Sequence, residues 1–185
     1  MNRHVHPLQI LAAILLLATT AVAGLPGAYA AQPTDEQARS ALESLYASSP
    51  GAKALGAKAK AVLVFPDIHK AALFVGAQSG DGVMFRNDRV AGHYRVDGLL
   101  AGIEAGAQSY AYALFFMSDA AVETMRNAKG WEIGADPNIV VVDAGAGKDI
   151  STTSLQGDVY SYIFGQKGLM GGIALQGLKI TRTGS

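Results

Sequence analysis

Apolar residues at helical spacing predict two short helices near the start of the folded chain. Residues 38–46 carry apolar side chains on one helical face, and Thr34 is placed to cap that helix. Ser49 and Pro50 predict a second helix start, since proline is favoured in the first helical turn. Its apolar positions fall on one side: Ala52, Leu55, Ala59 and Val62. Each helix therefore has one face to bury against the rest of the domain.

From residue 61 the pattern changes to short apolar runs that predict strands. The runs are residues 61–65, 71–77, 83–86, 93–96, 99–117, 139–142, 158–164 and 169–181. Turns are predicted at residues 80–82 and 87–89, and a third helix is predicted between Ser118 and Gly130. This order predicts an α+β domain with a mainly antiparallel, strongly curved, glycine-rich sheet, two N-terminal helices and one inserted helix.

The strongest strand runs supply the predicted hydrophobic core. Its members are Leu63, Phe65, Leu73, Val75, Phe116, Val140, Val142, Phe164, Ile173 and Leu175. Because these positions are apolar and lie within β-prone segments, we expect them to be buried in the sheet.

The first thirty residues have the layout of a cleavable signal peptide. Arg3 gives a weakly positive start, and residues 10–23 are almost entirely apolar. The small residues Ala28 and Ala30 occupy the two positions that a signal peptidase recognises before the cleavage site. We therefore expect cleavage after Ala30, a single mature domain at residues 31–185, and a periplasmic or secreted location. The chain contains no cysteine, so it lacks the residue that lipidation of a bacterial lipoprotein requires.

The amino-acid composition argues against several classes of ligand and partner. The formal net charge is zero, whereas a nucleic-acid-binding domain normally shows a basic excess. Because the chain has no cysteine, it cannot form disulfides, thiolate metal sites or a catalytic thiol. Of the histidines left after cleavage, His69 has no carboxylate at helical metal-ligand spacing, and Asp97, four residues after His93, follows a predicted strand and not a helix. We therefore expect no cofactor, no metal and no nucleic-acid partner.

No segment matches a catalytic motif. Residues 145–148 resemble part of a phosphate-binding loop, but Val142 and Asp149 replace the glycine and hydroxyl residue that it needs. Asp81, Asp88 and Asp97 lie in or near predicted turns, where aspartate is common for backbone reasons. The sequence thus predicts a protein that is not an enzyme.

Several segments, in this order, resemble the SYLF domain, a lipid-binding family of bacteria and eukaryotes. They are residues 61–66, 76–83, 102–110, 160–162 and 168–177. The resemblance covers roughly Asp35 to Thr181 and implies a binding function without catalysis. Eukaryotic relatives bind phosphoinositide membranes, fungal ones also bind actin, and bacterial members are exported, often as lipoproteins. The resemblance does not imply that this chain binds the same ligands, phosphoinositides or actin.

Four basic residues form the candidate lipid-binding site: Lys53, Lys58, Lys60 and Lys70. A basic amphipathic helix can lie on an anionic membrane, although the same pattern also suits a solvated helix face packed on a sheet. The first hypothesis is therefore an exported, non-catalytic domain that binds anionic phospholipid or another hydrophobic ligand. The alternative is a structural or protein-interaction module of the envelope without a lipid ligand, self-associating into a homo-oligomer through glycine-rich strands.

Overall fold

The computed structural model describes residues 35–133, 139–143, 157–168 and 177–184. The helices are α1 (Asp35–Ser48), α2 (Pro50–Gly56) and α3 (Asp119–Asn127). The strands are β1 (Ala61–Arg86), β2 (Arg89–Phe116), β3 (Trp131–Ile133), β4 (Ile139–Asp143), β5 (Val159–Gly168) and β6 (Leu178–Gly184). The predicted signal peptide and the predicted cap Thr34 lie outside the described residues.

The helix starts that the sequence predicts are present. The Ser49 hydroxyl accepts the Ala52 N–H at 3.1 Å, and the Ser118 hydroxyl accepts the Ala121 N–H at 3.2 Å. Each bond satisfies one of the backbone donors that a helix start leaves without an intrahelical partner. None of the helices in the described ranges is long and apolar enough to span a membrane.

Helix α2 is shorter than its predicted apolar stripe. It ends at Gly56, and Val62 belongs to β1 instead. A Cβ at position 56 would lie only 2.1 Å from the Tyr46 hydroxyl, so α1 packs directly against the glycine backbone. The close approach of Tyr46 explains why the second helix carries glycine near its end.

Two very long antiparallel strands form the body of the domain. β1 has 26 residues, β2 has 28, and they pair along almost their whole length. Asn87 and Asp88 connect them with φ values of 51° and 58°, as a type I′ hairpin turn requires. The short runs predicted between residues 61 and 86 are therefore one strand, and the register shifts where Pro66 interrupts it, between Phe65 and Ile68.

The turn predicted at residues 80–82 is wrong. Gly80 pairs with Val96 and Gly82 with Tyr94, inside the hairpin. A Cβ at position 82 would come within 2.5 Å of the Phe65 ring. Position 82 is glycine because the Phe65 side chain packs over it. The chain does not reverse direction there.

The described strands form one six-stranded sheet in the order β3-β6-β2-β5-β4, with β1 on the other side of β2. β2 pairs with β6 near its start and with β5 near its end. All pairs are antiparallel except β4 with β5. The fold class is as predicted, a mainly antiparallel curved sheet with two N-terminal helices and one inserted helix. The short strand β3 was not predicted.

Both faces of the sheet bury apolar side chains. One face packs under α1 and α2, with Leu45 and Leu55 against Phe115 and Tyr162. The other face contains Trp131 and α3 residues, and there the predicted core members Leu63, Phe65 and Phe116 are fully buried. Phe164 is also buried, on the face under the helices. The remaining predicted core side chains lie outside those that are described: Leu73, Val75, Val140, Val142, Ile173 and Leu175.

Candidate functional site

Three lysines are grouped on the segment that links α2 to the sheet. Lys53 lies in the last turn of α2, Lys58 follows the helix, and Lys60 immediately precedes β1. Their backbone is fixed, because the Lys58 N–H donates to the Leu55 carbonyl at 2.9 Å and the Lys60 N–H to the Phe116 carbonyl at 2.8 Å. We call Lys53, Lys58 and Lys60 the lysine cluster.

The ammonium groups of the lysine cluster face solvent. All three residues are exposed, and none forms an ion pair with a described residue. Lys53 also carries its charge in the last turn of α2, where the helix dipole favours a cation. The cluster therefore presents three positive charges within eight residues of chain.

The apolar stripe beside the lysine cluster is not available to a membrane. Ala52 and Leu55 are fully buried and pack with Val62 and Val64 of β1. The helix thus lies on the sheet with its apolar face inward. Contact of the cluster with another surface is consequently electrostatic, since no described apolar side chain of α2 can be inserted.

Lys70, the fourth predicted site residue, does not belong to the cluster. Only 1% of its surface is exposed, and it pairs in register with Gln108 across the hairpin. Side chains alternate along a strand, so Lys70 shares the buried face of Ile68, whereas the intervening His69 side chain is 61% exposed. Closeness in sequence is the reason that the predicted site groups Lys70 with the lysine cluster. In the structure Lys70 is a buried strand residue, so that part of the predicted site is wrong.

The interior near Lys70 contains polar groups and tyrosines. The Tyr110 hydroxyl donates to the Gln78 side-chain oxygen at 2.8 Å. Burial raises the pKa of Tyr110 and of Tyr112 well above the usual tyrosine value. Burial, with a smaller contribution from the nearby Asp88 carboxylate, raises the pKa of Tyr46 to about 12. These hydroxyls stay protonated at neutral pH, which suits a structural role.

The two histidines each face one carboxylate. His93 Nε2 lies 3.0 Å from Asp35 Oδ1, and His69 Nε2 lies 3.4 Å from Asp67 Oδ2. Each pair is partly exposed, so electrostatic attraction between its members is screened by water. Among the residues that the structure describes, no three histidine or carboxylate side chains are grouped as metal ligands would be.

A small cavity that was not predicted from the sequence lies at the start of α3. Its volume is about 190 Å³. The lining residues are Ser118, Ala120, Ala121, Thr124, Trp131, Asp158 and Val159. Trp131 is 9% exposed and packs on Phe116, with 6.2 Å between ring centroids. Asp158 is exposed and forms no ion pair with a described residue, so the cavity combines an indole with an unneutralised carboxylate.

The cavity and the lysine cluster lie at the same end of the sheet. The Lys60 N–H binds the Phe116 carbonyl, and the N–H of the next residue, Met117, donates to the Asp158 carbonyl at 2.9 Å. Two hydrogen bonds and one peptide unit therefore connect the start of β1 with a residue that lines the cavity.

Residues 97–185 match a family model described as Ysc84, Las17-binding protein actin regulator. This match is consistent with a protein of the SYLF domain family. The match confirms the resemblance inferred from the sequence, and it begins within β2 and includes all the residues that line the cavity. The lysine cluster precedes the matched segment, so its role is argued from the geometry alone. A search of curated proteins finds no significant match to the chain.

Proposed function

We propose that this SYLF domain is an exported, non-catalytic module of the cell envelope that binds anionic phospholipid headgroups. Its family supports a binding module related to lipid or actin. The observation that carries the lipid proposal is the lysine cluster, with three exposed cations that no described acidic residue neutralises. A location in the periplasm or outside the cell, proposed from residues 1–30, would bring the domain to membrane surfaces.

The proposed binding is electrostatic. Each lysine near an anionic membrane contributes about 1 kcal/mol, so the cluster contributes about 3 kcal/mol in all. Insertion of the α2 stripe would add a salt-independent term, but Leu55 is buried on the sheet. Charges at a surface are screened over about 8 Å at physiological ionic strength. The proposal therefore requires weak binding that salt abolishes.

A second candidate function is a structural or protein-interaction module without a lipid ligand. Leu99 favours it, because this side chain is 84% exposed on β2, opposite the exposed Ala77 of β1. Contiguous exposed apolar patches mark protein contacts, and Leu99 together with Ala77 would contribute to such a patch. The family description, with its Las17-binding and actin-regulating members, is consistent with protein partners as well.

Co-sedimentation with vesicles separates the two functions. The processed protein should sediment with vesicles of phosphatidylglycerol in low salt, and it should remain in solution with vesicles of phosphatidylcholine of the same size. Raising the sodium chloride concentration should release it from the anionic vesicles. Sedimentation with neither lipid would contradict the lipid proposal and favour the interaction module. Equal sedimentation with both lipids would contradict the selectivity for anionic headgroups.

A further inference from the structure

We infer that the cavity at the start of α3 binds an organic ammonium group, of the kind carried by ethanolamine and choline. The inference concerns a different site from the lysine cluster, and it does not depend on anionic lipid binding. It rests on the presence of both Trp131 and Asp158 in the lining of one small cavity.

The two residues supply complementary forms of attraction to a cation. An indole face attracts a cation more strongly than the other aromatic rings, and aromatic sites are the usual receptors for quaternary ammonium groups. A carboxylate adds direct charge attraction, and the Asp158 side chain has no described ionic partner. Ser118 and Thr124 also line the cavity, and their hydroxyls are bonded to the backbone of α3: Ser118 Oγ accepts the Ala121 N–H, and Thr124 Oγ1 donates to the Ala120 carbonyl.

An anion is the less suitable occupant, although a helix N-terminus lies nearby. The Ala121 N–H, which would serve an anion, already donates to the Ser118 hydroxyl. Asp119, the other acidic residue at the helix start, is paired with Arg86. The Asp158 carboxylate is therefore the unneutralised charge of the lining, and it repels an anion while it attracts a cation.

The size of the cavity selects a small group. About 190 Å³ is several times the roughly 30 Å³ that a water molecule occupies in the liquid. It is well below the roughly 300–1,000 Å³ of pockets that enclose a drug-sized ligand. The cavity is thus large enough for a headgroup or a free amine, and it is too small to enclose a whole lipid.

Trp131 is the only tryptophan of the chain, so its fluorescence reports directly on the cavity. The processed protein is titrated with choline chloride and with ethanolamine hydrochloride, and sodium chloride at matched ionic strength serves as the reference. We expect a saturable change in tryptophan emission with the ammonium compounds that sodium chloride does not produce. Sodium phosphate should give no saturable change.

Asp158→Asn keeps the shape of the side chain and removes the charge, and it should weaken the response at least tenfold. The matched control is Glu132→Gln, which removes an exposed carboxylate next to Trp131 from a residue that does not line the cavity. The control should respond like the original protein. An identical response in both variants, no saturable response to either amine, or saturation by phosphate instead would overturn the inference.

Vesicles identify the source of the group. Emission that changes with phosphatidylethanolamine or phosphatidylcholine vesicles, but not with phosphatidylglycerol vesicles, indicates a lipid headgroup. A response limited to the soluble amines indicates a free ligand. Replacing the lysine cluster with glutamine should leave the choline response intact, so failure of the lipid proposal and failure of this one are distinguishable.

Discussion

Phe65 should be one of the most sensitive positions of the fold. Its ring is fully buried and stacks on Tyr112, with 6.5 Å between centroids and 28° between planes. Phe65→Ala removes the ring from a close-packed interior and leaves a cavity, which costs about 3–5 kcal/mol. Of this loss, about 0.5–1.5 kcal/mol reflects the aromatic pair with Tyr112.

A second substitution, at Gly82, tests whether the Phe65 ring packs against this glycine as the structure shows. A Cβ at this position would lie 2.5 Å from Phe65 Cδ1 and 2.9 Å from the Val64 carbonyl oxygen. Gly82→Ala alone should therefore cost about 1–3 kcal/mol through overpacking. Once the ring is removed, the more severe of the two contacts disappears. The double variant should be more stable than the sum of the single effects predicts, by at least about 0.5 kcal/mol.

Urea unfolding followed by Trp131 fluorescence gives the free energy of unfolding for each variant. Leu99→Ala is the control, because the side chain is 84% exposed and its loss should change stability by no more than about 0.5 kcal/mol. A loss below about 1 kcal/mol for Phe65→Ala would show that Phe65 is not core. Strict additivity of Phe65→Ala and Gly82→Ala would refute the argument that the ring excludes a side chain at position 82.

Three further predictions concern pH, helix capping and processing. The folded state holds the phenolic protons of Tyr46, Tyr110 and Tyr112 at pKa values above the unfolded value of about 10, so stability should be complete below that pH and fall above it. The fall should approach about 1.4 kcal/mol per pH unit for each tyrosine, and urea unfolding at rising pH together with tyrosinate absorbance measures it. Ser118→Ala should lower the free energy of unfolding by about 1 kcal/mol, while Ser118→Asp should restore most of it in the same urea assay. The protein recovered from the cell envelope should begin at Ala31, and an intact mass that retains residues 1–30 would contradict this.

Short-range signals explain what the sequence predicts correctly. A serine before a helix satisfies backbone donors two or three residues away, so Ser49 and Ser118 indicated their helix starts. Asn87 and Asp88 likewise adopt the positive φ angles of a hairpin turn without help from distant residues. These features need no knowledge of the tertiary structure.

Long-range packing explains what the sequence did not predict. Gly80 and Gly82 looked like a turn, but their lack of side chains serves the packing of Ile68 and Phe65 from an earlier part of the same strand. Lys70 looked like an exposed cation, but strand alternation turns it inward.

The cavity at α3 escaped prediction for a similar reason. Trp131 and Asp158 are distant in sequence, and each carries no motif of its own. They line one cavity although β5 and β6 pair with different ends of β2, along the edge opposite β1, and β3 joins the sheet only through β6. The one available signal in the sequence was a single tryptophan near a helix end. Its place in a cavity cannot be predicted without knowing how the strands pair.

The most direct test of the lipid proposal compares two triple variants that lose the same charge. The first is Lys53→Gln, Lys58→Gln and Lys60→Gln, and the second changes three other exposed lysines, Lys129, Lys167 and Lys179, to glutamine. Both remain folded by circular dichroism if these side chains are exposed as described.

The measurement is the dissociation constant for phosphatidylglycerol vesicles in low salt. The account predicts that the first variant loses about 3 kcal/mol, roughly a hundredfold, because each lysine of the cluster contributes about 1 kcal/mol. The second variant should bind nearly as well as the original protein. Equal losses in the two variants, or unchanged binding by a folded Lys53, Lys58 and Lys60 variant, would contradict the proposal that the lysine cluster is the lipid-binding site.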